Sequence, residues 1–336
     1  MQITTLGIDI AKSVFQLHGV DADGNILLRK KVRRRALLDV LASIDPCLIG
    51  MEACATSHFW GREIAARGHE VRLIPPIYVK PYVKRQKNDM ADAEAICEAV
   101  TRPNMHFVAI KSADQQAILM LHRARDLLMR QRTMLINALR AHMAEFGIVA
   151  ARGPHKLREL LVDLQDDSDS FPEVARSALL SLVRQMDGLD GEIAQLDREI
   201  QIWHRQSKVS QRLATIPGIG VLTATALAAT VADPTLFRYA RQFAAWLGLV
   251  PRQNSSGGKD RLGRITKMGD GYLRKLLVVG ATAVLRRAVR TQTQIGEWVR
   301  HLLERKPSRL VSVALANKTA RIAWAILAKG ETYRSA

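Results

Sequence analysis

Cysteine is scarce in this chain of 336 residues: Cys47, Cys54 and Cys97 are the only three. Their spacing fits neither a zinc site nor a disulfide framework, so a reducing cytoplasm is the expected setting. No uninterrupted apolar run reaches the roughly 18 residues of a membrane span. The first residues lack a basic stretch followed by an apolar one, so no secretory leader is read there. No basic amphipathic anchor stands out, and no membrane partner is expected. Acidic residues are also short, 32 against 50 Lys and Arg, which leaves a net charge of +18. Hydrophobic residues make up 48% of the chain, which excludes disorder and allows two or three domains with cores.

The positive charge is unevenly placed. Residues 211–336 hold 21 Lys and Arg against 6 Asp and Glu, a surplus of 15 out of the total of 18. A cationic surface confined to one third of a chain points to a polyanion, most often nucleic acid. Charge alone names no activity, because ribosome-type proteins share it.

Three regions are expected. Residues 1–111 read as α/β, with strands at 4–10, 14–20 and 25–32, a helix near 36–43, a strand at 47–52, a helix near 58–66, a strand at 70–74 and a helix at 91–101. The turn Asp21-Ala22-Asp23-Gly24 joins the second and third strands as a hairpin. Three antiparallel strands followed by alternating helices and strands is the order of a ribonuclease-H-like fold. Residues 112–210 read as two long helices, 117–146 and 174–212, the second with apolar residues near heptad spacing. Polar breaks at Gly153-Pro154 and Asp166–Pro172 separate them. Such a pair is either an internal spacer or a dimerisation arm. Residues 211–336 read as all-α, interrupted by the polar, basic and glycine-rich stretch 251–271.

Four carboxylates in the first region carry the chemistry. Asp9 and Glu52 each interrupt an apolar strand, where a lone charge is costly. Strand alternation places Gly7 with Asp9 on one face, and Gly50 with Glu52 on one face. The glycines are expected to leave room beside the acids. Asp89 and Asp92, at i and i+3, share a helix face. If the two strands are neighbours, the four acids converge, and hard oxygen ligands in an incomplete cage select Mg²⁺. Two such ions about 4 Å apart serve phosphoryl-transfer chemistry. Glu94 and Glu98 read as a solvated helix face. Lys12 and Lys87 are weaker phosphate-contact candidates.

In the basic stretch, Asn254-Ser255-Ser256-Gly257-Gly258-Lys259 lies between Arg252 and Arg261, with Arg264 and Lys267 beyond. It reads either as a flexible turn or as a serine presented to a phosphodiester among cations. A serine needs a base or a metal for activation, and Asp260 is the one acid nearby. Ile216-Pro217-Gly218-Ile219-Gly220 reads either as a phosphate-holding hairpin turn or as a packing corner.

Together these residues resemble the insertion sequence 110 family of bacterial transposases. The resemblance rests on Gly7-Ile8-Asp9-Ile10-Ala11-Lys12, Glu52-Ala53, Asp89-Met90-Ala91-Asp92-Ala93, Ile216-Pro217-Gly218-Ile219-Gly220, the run 241–249, and Pro251-Arg252 followed by Ser256-Gly257. It covers nearly the whole chain. It implies a RuvC-like nuclease domain with an Asp-Glu-Asp-Asp site at Asp9, Glu52, Asp89 and Asp92, a coiled-coil dimerisation arm, and a C-terminal domain whose serine, Ser256, links transiently to DNA. Ser255 is the adjacent alternative. It further implies Mg²⁺, donor and target double-stranded DNA, a structured bridge RNA, and a dimer or tetramer working in the bacterial cytoplasm at the nucleoid. Arg252, Lys259, Arg261, Arg264 and Lys267 are the expected nucleic-acid contacts. A DNA invertase, a metal-only junction nuclease and a non-catalytic binder are the alternatives. The family often has Glu-Ala-Thr-Gly where this chain has Glu52-Ala53-Cys54-Ala55-Thr56, a difference confined to the loop after the acid.

Overall fold

The computed structural model describes residues 2–84, 88–151, 153, 155–160, 171–288 and 293–334. Lys87, Pro154 and most of the expected break at 166–172 lie outside the described residues. Near the N-terminus, β1 (Thr5–Ile10), β2 (Val14–Val20), β3 (Ile26–Arg33), β4 (Leu48–Glu52) and β5 (Glu70–Ile74) form one sheet in the order β3-β2-β1-β4-β5. The first three strands pair antiparallel, and β4 and β5 add in parallel on the other side of β1. The β2–β3 turn closes as its sequence dictates. The Asp21 carboxylate accepts the N–H of Asp23 at 3.0 Å and of Asn25 at 2.8 Å, and Gly24 takes a positive φ.

Alternation sorts the two faces. Leu6, Ile8, Ile49 and Met51 are fully buried against α1 (Leu37–Ala42) and α2 (Ser57–Ala65), through Leu37, Leu41, Trp60 and Ile64. A short helix α3 (Pro76–Val79) starts on Pro76, whose missing N–H is no loss at a first helical position. The opposite face carries α4 (Asp89–Val100), whose Ala95, Ile96, Ala99 and Val100 pack with Ile74 and Val79.

The two long helices are α5 (Ala113–Glu145) and α6 (Glu173–Gln206). A capping box starts α5: Ser112 accepts the Gln115 N–H, and the Gln115 side chain accepts the Ser112 N–H. Along α6, Leu179, Met186, Ile193 and Ile200 are buried at seven-residue intervals. Ion pairs Arg125–Asp197 and Arg132–Asp190, at 2.6 and 2.5 Å, fix an antiparallel register, since each step of seven residues up one helix is matched down the other. The expected single helix 174–212 is corrected: it breaks at Ser207, whose hydroxyl accepts the Ser210 N–H and caps a new helix, α7 (Lys208–Ala214).

The C-terminal core gathers α7, α8 (Val221–Thr230), α9 (Ala240–Trp246), α10 (Gly271–Ala288), α11 (Gln294–Leu303) and α12 (Ser308–Lys329). By length and composition α12 would suffice to cross a bilayer, but its Val311, Leu315, Ala316, Ala320 and Ala323 are buried in this core. Ile216-Pro217-Gly218-Ile219-Gly220 forms the corner between α7 and α8. Gly218 has a φ of +87°, and a Cβ on Gly280 of α10 would stand 1.9 Å from the Gly218 carbonyl oxygen, so backbone packs on backbone there.

A buried polar chain fastens α5 to this core. The Thr225 hydroxyl donates to the Val221 carbonyl at 2.7 Å and accepts from His122 Nε2 at 3.0 Å. His122 Nδ1 is then an acceptor for the Tyr272 hydroxyl at 3.0 Å. Burial holds His122 down to about 4 and raises Tyr272 to about 12. Because an unfolded histidine takes its proton near the ordinary 6.5, the unfolded chain binds the extra proton first. His122 therefore stabilises the fold fully above about 6.5, and that contribution is lost as pH falls toward about 4. The expected result is an unfolding midpoint that drops across this window in chemical denaturation, with a shallower drop in His122→Gln.

Candidate active site

The strands of Asp9 and Glu52 are neighbours. In the parallel register Gly7 faces Gly50 and Ile8 faces Met51, so Asp9 and Glu52 follow at the same C-terminal edge of the sheet. Both lie on the face that α4 covers. The glycines do not leave a void there, which corrects the expectation from alternation. A Cβ on Gly7 would stand 2.2 Å from the Ala93 carbonyl oxygen, and one on Gly50 would stand 2.8 Å from Val100 Cβ. The missing side chains let α4 lie directly on the sheet.

That contact sets the direction of α4. Cys97 Sγ meets the Thr5 carbonyl oxygen at 3.7 Å, and Ala93 lies over Gly7, so the helix runs antiparallel to β1. Its first turn, with Asp89 and Asp92, therefore points toward the end of β1 that carries Asp9. Asn88 caps the helix by accepting the Ala91 N–H at 2.8 Å. Acids in a first turn also meet the positive end of the helix dipole. Asp9, Glu52 and Asp92 are half-buried and Asp89 is exposed. Among the described residues no three metal-ligating side chains are gathered closely enough to hold an ion. The donor set suits a hard cation, and its residues share one corner without forming a closed cage.

Glu94 is not simply solvated. It pairs with Lys84 at 2.5 Å and Arg29 at 3.4 Å, and the Lys84 hydrogen bond lowers its pKa. Glu98 pairs with Arg102 at 2.8 Å. Gly7→Ala is expected to cost about 1–3 kcal/mol through overpacking. Denaturant unfolding with Gly19→Ala as the reference would measure it, since a Cβ at Gly19 meets nothing nearer than 3.2 Å.

The basic stretch 251–271 is not a plain loop. It holds a two-stranded antiparallel ribbon, β6 (Pro251–Gln253) and β7 (Leu262–Ile265), extended by the pair Ser256–Lys259. Gly257 and Gly258 both have positive φ, as the mirror-image two-residue hairpin turns require. The Lys259 N–H closes the turn on the Ser256 carbonyl at 3.1 Å. Ser256 thus stands at the exposed tip, and Cβ atoms built on its two glycine neighbours would meet nothing within 4 Å. The Ser256 hydroxyl makes no hydrogen bond to any described residue. Ser255 is tied into the ribbon, donating to Asp260 Oδ1 at 3.2 Å and accepting the Arg261 N–H at 3.1 Å. Arg252, Lys259, Arg261, Arg264 and Lys267 are all exposed along this arm. The Gly-Gly pair between polar flanks was the hairpin signal in the sequence.

Residues 210–295 match the family described as "Transposase IS116/IS110/IS902 family", and residues 6–148 match a transposase family of IS110 type with the Asp-Glu-Asp-Asp designation. A probable family 20 transposase of Pseudomonas aeruginosa is 45% identical over 99% of both chains. The transposase for insertion sequence element IS1328 of Yersinia enterocolitica is 43% identical over 98% of both. A pilin gene-inverting protein of Moraxella bovis is 22% identical over 99% of this chain and 98% of its own. These matches define an enzyme that breaks and rejoins DNA. The chain belongs to the IS110/IS116/IS902 family of insertion-sequence transposases.

Proposed function

We propose that this transposase is an RNA-guided recombinase in which Ser256 attacks a DNA phosphodiester and the carboxylates Asp9, Glu52, Asp89 and Asp92 complete the site. The observation that carries this reading is the ribbon, which offers one unbonded serine hydroxyl at its tip. The Ser256 oxygen forms a bond to phosphorus, the bond to the departing deoxyribose oxygen breaks, and the serine proton passes to a base. A strand hydroxyl then attacks the serine–phosphate ester and releases Ser256. Mg²⁺ held by the four acids would supply Lewis-acid stabilisation of the phosphate. The sheet order supports a RuvC-like nuclease domain for residues 1–111.

The serine and the acids are borne by different cores. We assign the acids that serve one Ser256 to a second subunit of a dimer or tetramer, with the α5–α6 pair as its coiled-coil arm. A bridge RNA would select donor and target DNA by base pairing, which leaves little trace in the protein. The working place is then the bacterial cytoplasm at the nucleoid. Ser255 with Asp260 as its base is the second reading, favoured by their 3.2 Å hydrogen bond. The relative that inverts a pilin gene keeps inversion as the alternative outcome of the same chemistry. Trapped protein–DNA adducts, compared across Ser255→Ala and Ser256→Ala, test the assignment.

The arm also predicts salt dependence. Each of Arg252, Lys259, Arg261 and Arg264 changed to Gln is expected to weaken DNA binding at all sequences and to reduce the slope of log affinity against log salt by about 1. Filter binding across a salt series reads this, and unchanged slopes would remove the arm from the DNA contact.

A further inference from the structure

A second polar site lies where the N-terminal sheet region, α5 and the C-terminal core meet. It is a cavity of about 450 Å³. Its N-terminal wall is His58 on α2 and Lys111 just before α5, its floor is α5 with Arg123, and its far wall carries Trp246 and Tyr272. Lys111 is only 9% exposed. Its backbone is clamped on both sides: its N–H donates to His58 Nδ1 at 3.2 Å, and its carbonyl accepts from Arg62 at 2.8 Å.

That clamp determines the tautomer of His58. With Nδ1 accepting, the neutral ring carries its proton on Nε2. Yet Nε2 faces the Lys111 ammonium at 3.4 Å. With Lys111 in its ammonium form, two donors therefore face each other across 3.4 Å with no acceptor between them. Among the described residues no carboxylate lies within 4 Å of the Lys111 or Arg123 charge. The acids of the cavity are committed elsewhere: Asp126 to Lys275 at 2.7 Å and to Arg130 at 3.5 Å, Asp270 to the N–H groups that open α10. The Asp270 charge reaches Lys111 only from beyond ion-pair distance, and a buried ammonium without an ion-pair partner is expensive.

We infer that this junction cavity is a seat for a phosphate group, with Lys111, His58 Nε2–H and Arg123 as its donors. A tetrahedral oxyanion supplies the missing acceptor to both facing donors, and a guanidinium matches phosphate geometry. Burial, Lys111, Arg62 and Arg123 hold His58 down to about 4, and burial and Arg123 lower Lys111 against a smaller opposing pull from Asp270; an anion seated there opposes both shifts. A nucleic-acid strand and a free phosphate compound share this chemistry. Either would bridge three parts of the chain at once.

The test uses the full chain with ¹³C-labelled histidine, titrated with inorganic phosphate against chloride at equal ionic strength. The His58 resonance, assigned through His58→Gln, is expected to move with phosphate and not with chloride. Phosphate binding is expected to weaken at least about tenfold in Lys111→Met and in Arg123→Gln. A short oligonucleotide that displaces phosphate from the wild-type chain identifies a strand as the source, and failure to displace it identifies a free phosphate compound. A wild-type His58 signal that ignores phosphate overturns the seat, whether or not the variants fold. Retained binding in both folded variants overturns it equally.

Discussion

Ser256→Ala is expected to abolish the covalent protein–DNA species and to lower strand exchange by at least about 10³-fold, since a nucleophile has no substitute in its own site. The exposed tip makes this a clean experiment. Ser256 is exposed and packs against no core, so the substitution is expected to leave the unfolding midpoint unchanged and to leave DNA binding by the proposed arginine contacts intact. Ser255→Ala removes a hydrogen bond to Asp260 and another from Arg261. It is expected to loosen the ribbon and slow the reaction without eliminating adducts. Adducts at wild-type level in Ser256→Ala would sink the assignment, and their loss in Ser255→Ala alone would move the nucleophile by one residue.

Asp9→Asn is expected to reduce Mg²⁺-dependent cleavage by about 10²–10³-fold, the scale seen when one preorganised electrostatic partner of a transition state is removed. The change keeps the size of a side chain at the edge of β1 and removes its charge. DNA binding is expected to persist. Cleavage measured against Mg²⁺ concentration separates the effects: a ligand role shifts the midpoint to higher Mg²⁺, and a purely structural role does not. Full activity at all Mg²⁺ concentrations would remove the carboxylates from the chemistry.

The N-terminal sheet was legible because each strand announces itself twice, by alternation of apolar residues and by a turn that can do little else. Asp21-Ala22-Asp23-Gly24 is the clearest instance. The adjacency of Asp9 and Glu52 was legible only as a condition, because strand order is a long-range property. The role of Gly7 and Gly50 was misread. A glycine in a strand signals close approach, but its sequence neighbours do not say what approaches, and here it is the backbone of α4. The break at Ser207 was hidden because apolar spacing continues across it while the decisive event is one capping hydroxyl. The strands on either side of the Gly257-Gly258 turn were hidden for the opposite reason. Every residue from 251 to 264 is exposed, so no buried face imposes the period-two pattern by which strands are recognised. The facing donors of His58 and Lys111 left no sequence signal, since 53 residues separate them.

The ribbon has a kinetic consequence. Its serine is held by a handful of backbone hydrogen bonds and two left-handed glycines, with no side-chain packing to fix where the hydroxyl points. Fixing such a group costs conformational entropy at every encounter rather than once at folding. On the proposed assignment, an isolated subunit meeting a chance stretch of chromosome would have a nucleophile with low effective molarity toward any phosphate. In the proposed assembly, orientation would come from the surfaces that meet the tip. Looseness at the proposed nucleophile would then protect the host genome: the expected reaction order in protein exceeds one, and scarce transposase would be disproportionately quiet.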